Sequence, residues 1–227
     1  MRPLKFHTVR LIMRIVLLGA PGSGKGTQAA RLACALGVTR MSSGDLFRDH
    51  QQRDTDLGRM VRSYVEAGTY VPDDVTIGMV MEWIDAPGQE QGFVLDGFPR
   101  TLAQACALEA NLGSRGGIDK VLHISVSWDE LTKRLAGRIV CRACQASYSQ
   151  ESPPPNASSR LCDRCGGELY HREDDYPEVV KRRIETYQEE TVPVIQYYRD
   201  ADKLTEINGE GPVDSVERML IEALEGH

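Results

Sequence analysis

The chain has 227 residues, enough for one sizeable core with inserts or for two small domains. Its 41% hydrophobic and 26% charged residues describe an ordinary globular protein, not a disordered one. Lys and Arg number 27 against 33 Asp and Glu, a formal net charge of -6, which argues against general binding to nucleic acid or to a membrane surface.

A local basic site inside an acidic shell stays open, and no apolar run approaches the roughly 18 residues that span a bilayer. At the N-terminus Arg2, Lys5 and Arg10 precede a short apolar stretch, but Arg14 interrupts it and no small-residue cleavage site follows. Met13 stands directly before a strand-like run, so residues 1–12 are expected to be a disordered extension or a misread start.

"IVLLG" (15–19) reads as a buried parallel strand ending in a Gly-rich turn, with a helix over 25–36 behind it. Further strands are expected at 93–97, 120–126 and 204–209. Helices are expected at 73–85, 101–111, 129–136, 177–199 and 213–224. Strands alternating with helices imply a parallel sheet flanked by helices on both faces. Residues 42–72, short helices and loops without a strand, and residues 137–175, rich in Cys, Gly and Pro, read as inserts on this α/β core. The "SPPPNASS" stretch is expected to be a loop bracketed by cysteine pairs.

Of six cysteines, Cys34 and Cys106 lie in apolar helical patterns and are expected to be buried. Cys141, Cys144, Cys162 and Cys165 form two C-x-x-C pairs with 17 residues between them, the spacing of a two-knuckle zinc site. A redox pair, a nucleic-acid reader, a catalytic metal and a structural clamp all remain open on spacing alone. From Cys141 to Cys165, Arg142, Arg160 and Arg164 face Glu151 and Asp163, so there is no basic footprint for nucleic acid.

"GAPGSGKG" (19–26) fits the phosphate-binding loop G-x-x-x-x-G-K-[ST], except that Gly26 holds the hydroxyl position and Thr27 follows. Gly19, Gly22 and Gly24 let successive backbone N–H groups turn inward toward phosphate oxygens, and the helix beginning near Lys25 adds its positive end. Lys25 can reach β- and γ-phosphates, while Thr27 or water is left to substitute as Mg²⁺ ligand.

The segments "GAPGSGKGTQAARL", "SSGDLFR" (42–48), "VLDGFPRTLAQA" (94–105), "RLAGRIVCRACQASY" (134–148), "CGGELYHREDD" (165–175) and "INGEGPV" (207–213) occur in the order seen in adenylate kinases. The chain resembles the long-lid, cysteine-bearing bacterial type from residue 13 onward. The resemblance implies a P-loop kinase core formed by 13–41, 73–136 and 176–227, an NMP-binding insert at 42–72 and a zinc-ribbon-like lid at 137–175. It implies ATP, AMP and ADP as partners, Mg²⁺ carried with ATP, a structural Zn²⁺, no nucleic acid or membrane, and a cytoplasmic monomer.

Residue roles come with it. Gly22, Ser23, Gly24, Lys25, Gly26 and Thr27 would bind the ATP phosphates, with Ser147, Tyr148 and Gly211 about the ATP base and ribose. Ser43, where Thr is usual, Thr69, Tyr70 and Val71 would meet the AMP base, and Gln104 would read its edge. Gly97, Phe98 and Pro99 carry Arg100 to the AMP phosphate, which Arg48 would hold bidentately. Arg138, Arg172 and Arg183 would converge on the transferred group, joined by ATP-binding Arg134, and Asp96, at a strand's carboxyl end, would orient Mg²⁺ through water. No general-base motif is present, and a phosphate oxygen needs none. Catalysis then rests on positioning and on charge neutralisation. The rivals are a monophosphate kinase of other base preference, UMP/CMP or GTP-using, and a zinc-ribbon nucleic-acid-binding ATPase.

Overall fold

A computed structural model describes residues 13–149 and 160–225. The expected N-terminal extension and the whole "SPPPNASS" loop lie outside the described residues. Strand β1 (Met13–Gly19) is apolar on both faces because it is central. It pairs in parallel with β3 (Gly92–Asp96) on one side and β4 (Lys120–Ser125) on the other. With β2 (Thr39–Ser42) beyond β3 and β8 (Leu204–Asn208) beyond β4, the five-stranded order is β2-β3-β1-β4-β8, all parallel.

Alternate residues feed two cores, one on each face. Val16, Leu18, Phe93, Leu95 and Val121 pack with α4 (Asp73–Asp85), α5 (Leu102–Leu112) and α8 (Val192–Asp200) through Val80, Leu108, Val194 and Tyr198. Ile15, Leu17, Val94, Leu122 and Ile124 pack with α1 (Lys25–Leu36) and α9 (Val213–Glu225) through Leu32, Val216 and Leu220. Each large aliphatic or aromatic side chain removed from water contributes roughly 1.5–3 kcal/mol, so these two layers dominate stability.

Strand β2 went unread because it is short, sits at the sheet edge and buries only Met41. The expected helix 177–199 is interrupted. Helix α7 (Pro177–Thr186) passes into a π-helical turn, Tyr187–Thr191, before α8. Pro193 has no N–H to give the preceding turn, a local reason for the break. Cys34 and Cys106 are exposed, not buried. Helix α1 buries Gln28, Ala29, Leu32 and Ala33, and α5 buries Gln104, Ala105, Leu108 and Leu112. Each cysteine follows a buried alanine and is turned about 100° off the inward stripe.

Two smaller units stand on this core. Helices α2 (Ser43–Gln52) and α3 (Asp56–Ala67) close over Phe47, Val61 and Val71. Strands β5 (Ile139–Cys141), β6 (Ser147–Tyr148) and β7 (Leu169–Tyr170) form an antiparallel sheet, β6-β5-β7, around Cys141, Ala146, Tyr148, Cys162 and Leu169. Helix α6 (Trp128–Ala136) leads into it.

Candidate active site

The carboxyl ends of β1 and β3 face one cleft. The loop after β1 turns at Gly22 (φ 86°) and Gly24 (φ 89°), a left-handed backbone that glycine adopts without a Cβ penalty. A Cβ at Gly22 would also lie 2.9 Å from Leu135 Cγ, so this turn nests against α6. Lys25, first residue of α1, donates from Nζ to Ala20 O at 3.1 Å. Desolvation in the cleft lowers its ammonium to a pKa of about 7 against the pull of Asp96, and Arg100, Arg183 and Arg138 push the same way as burial. Gly26 has a local reason too: a Cβ there would stand 3.3 Å from Asp96 Oδ2. Asp96 is buried at the end of β3, with Arg40 Nη1 3.9 Å from its carboxylate. This hard oxygen donor beside the phosphate loop suits Mg²⁺ brought with a triphosphate.

Gly97 (φ 75°) follows Asp96 and gathers two side chains. Its carbonyl accepts from Ser43 Oγ at 2.7 Å and from Arg100 Nε at 2.7 Å. Arg100 lies over the Tyr70 ring, 5.0 Å from its centroid. Thr69, Tyr70, Val71, Ser43, Arg48, Pro99 and Gln104 line the same cleft as Lys25 and Arg183, while Phe98 is buried in the core.

Arg138 and Arg183 meet on one carboxylate. Arg138 grips Asp175 with Nε at 2.7 Å and with Nη2, and Arg183 Nη1 reaches the same carboxylate at 2.8 Å and Asp174 Oδ2 at 3.0 Å. Burial and the neighbouring Arg48 and Arg138 pull Arg172 down to about 9, and its Nε has no hydrogen-bond partner among the described residues. Arg48 pairs with Asp45 and reaches Gln145 Oε1 at 3.3 Å, which Arg172 Nη2 approaches at 3.4 Å. Cations crowded together and desolvated are poised for polyanionic ligands.

Arg134, expected to join these arginines, lies apart from them, because α6 turns it to Glu130 and to the carbonyl of Gly209, two residues before exposed Gly211. Ser147 is exposed, whereas the Tyr148 side chain turns into the small sheet, 3.1 Å from Cys162 Sγ and paired with Asp163.

The four cysteine sulfurs lie within 4.8 Å of one another, Cys141 to Cys165 at 3.5 Å and Cys144 to Cys162 at 3.6 Å. Four thiolates about 2.3 Å from one zinc would stand about 3.8 Å apart, so the quartet fits a closed tetrahedral site. Although burial opposes it, Tyr148 and the backbone N–H groups of Arg164 and Cys165 point at Cys162 and draw its thiol down to about 6. Those donors favour a thiolate, as a metal ligand must be.

Sequence reasoning missed several participants. Asp174, Asp175, Asp45 and Arg40 are ordinary charges until the fold pairs them. Gln145, in a left-handed conformation (φ 57°) after Cys144, joins Arg48 to Arg172. Its place directly after C-x-x-C was the one available signal. Asp73 and Thr191 had none.

A phosphate loop on a parallel sheet of this strand order, with facing arginines, defines a P-loop kinase. The family model described as adenylate kinase matches residues 17–203. The adenylate kinase of Streptomyces avermitilis is 47% identical over 213 residues, covering 93% of this chain and 97% of that one. Those of Streptomyces coelicolor, at 46%, and Symbiobacterium thermophilum, at 45%, each cover 93% of this chain and 98% of their own. The chain belongs to the adenylate kinase family. No helix among the described residues is long and apolar enough to cross a membrane.

Proposed function

We propose that the protein transfers the γ-phosphoryl group of Mg·ATP to a phosphate oxygen of AMP, giving two ADP, and runs the reaction reversibly. One observation carries this reading. Lys25 and Arg183 share a single cleft with Arg48, Arg100 and Gln104, so a phosphate loop and a base-reading amide open onto one space. The acceptor oxygen is already a nucleophile near neutral pH and needs no base. Lys25, Arg138, Arg172 and Arg183 would neutralise the transferring group, while Arg48 and Arg100 hold the acceptor phosphate. Mg²⁺, when bound, would offset charge on the β- and γ-phosphates, with Asp96 as its nearest carboxylate.

In this reading residues 42–72 form the acceptor insert, 137–175 the lid, and the remainder from 13 the core. Gly22–Thr27, Arg134, Ser147, Tyr148 and Gly211 would hold ATP. Ser43, Thr69, Tyr70, Val71 and the turn 97–100 would hold AMP. Zn²⁺ on Cys141, Cys144, Cys162 and Cys165 would cross-link a unit whose core, five residues among those described, is too small to hold itself. The protein would work as a monomer in the cytoplasm. A coupled assay across monophosphate acceptors and triphosphate donors tests the reading. ATP with AMP should give the highest kcat/KM, and comparable values with UMP or CMP would overturn it.

A further inference from the structure

Within that reading of the acceptor site, we infer that Asp73 is its specificity-determining positioning residue. It locks the Gln104 amide so that the site takes 6-aminopurine monophosphates and rejects 6-oxopurines. Gln104 is 1% exposed, and both ends of its amide are already engaged. Its Oε1 accepts from the backbone N–H of Arg100 at 2.8 Å, and its Nε2 donates to Asp73 Oδ1 at 2.7 Å. Thr101 Oγ1 donates to Asp73 Oδ2 at 2.9 Å and accepts from the Gln104 N–H at 3.2 Å, holding the carboxylate beside the amide.

The partners leave the amide one orientation. A backbone N–H can only donate, and an ionised carboxylate can only accept. Flipping the amide would set N–H against N–H at Arg100 and oxygen against oxygen at Asp73. What remains for a ligand is one Nε2 hydrogen and one Oε1 lone pair. A 6-aminopurine offers N1 as acceptor and N6–H as donor, which matches. A 6-oxopurine offers N1–H and O6, the reverse pattern, and meets like against like on both atoms. Discrimination therefore depends on the amide being unable to turn, and of its two locks Asp73 supplies the charged one.

The test compares AMP with IMP as acceptor in wild type, Asp73→Ala and Asp73→Asn. Both variants remove the same negative charge from the first turn of α4, so a role through the helix-end charge alone would move them alike. Only the Asn variant keeps an oxygen able to accept from Gln104 Nε2. Asp73→Ala should lower the AMP-to-IMP ratio of kcat/KM at least ten-fold, while Asp73→Asn stays within about three-fold of wild type. An unchanged ratio in the Ala variant, or an equal drop in both, overturns the inference while leaving the acceptor reading intact. A wild-type enzyme that uses IMP as well as AMP overturns that reading and the inference with it. A measurement on the wild type keeps the test decisive if the Ala variant misfolds. The Gln104 side-chain amide hydrogens should exchange with solvent far more slowly than those of exposed Gln188, and equal rates would refute the lock.

Discussion

Asp175 is the hinge of the arginine cluster, and Asp175→Asn should be costly out of proportion to its size. The carboxylate is 5% exposed at the side chain and lies between Arg138 and Arg183, themselves 16% and 18% exposed. It accepts two bonds from Arg138 and one from Arg183. Asparagine preserves the volume but removes the charge and turns an N–H₂ toward guanidinium donors. Breaking a buried pair from one side typically costs about 3–5 kcal/mol. Arg183 keeps Asp174 as partner, so the lower end, about 3 kcal/mol, is expected here. At about 2–4 °C per kcal/mol for a chain of this size, melting followed by circular dichroism should fall by about 6–12 °C. Turnover at 25 °C should fall about ten- to hundred-fold, because Arg138 loses what aims it. A melting temperature within about 2 °C of wild type would show that the three-way pair contributes little and would refute the reasoning.

Three further outcomes follow from the geometry. The lowered Lys25 pKa means that the unfolded chain holds this proton more tightly, so Lys25 makes stability rise with pH from about 7 toward the ordinary lysine value of 10.5. A phosphate beside Lys25 favours the ammonium, so ATP binding at pH 8 should take up close to one proton. Titration calorimetry in buffers of different ionisation enthalpy reads this directly, and heats independent of buffer would contradict it. Zinc removal or Cys162→Ser should lower the melting temperature while sparing much of the turnover at low temperature, checked by elemental analysis and assays at 15 and 45 °C. Turnover abolished at both temperatures with melting unchanged would contradict a structural metal. Gly68→Ala should destabilise by about 1–2 kcal/mol, since Gly68 sits at φ 71° and a Cβ would stand 3.0 Å from both Arg183 Cγ and Val179 O. Chemical denaturation measures that loss.

What the sequence by itself determined is what short spacing encodes. The phosphate loop, each C-x-x-C pair and the run ending in Arg100 lie within a few residues, and each strand or helix carries its own period, so local geometry follows from residue type. Helices α1 and α4 begin and end where the sequence pattern places them. Partnership across the chain was decided only by the tertiary structure. Asp73 meets Gln104 across 31 residues, Arg48 meets Gln145 across 97, and Thr191 Oγ1 donates to Arg100 O across 91. A carboxylate in a sequence carries no mark of the guanidinium it will face, because the pairing depends on which strand ends and helix faces the packed sheet brings together. The same holds for Cys34 and Cys106, whose apolar neighbours suggested burial. Whether a helical side chain is covered depends on a rotation of about 100° and on what packs against that side, and both are settled by the fold as a whole.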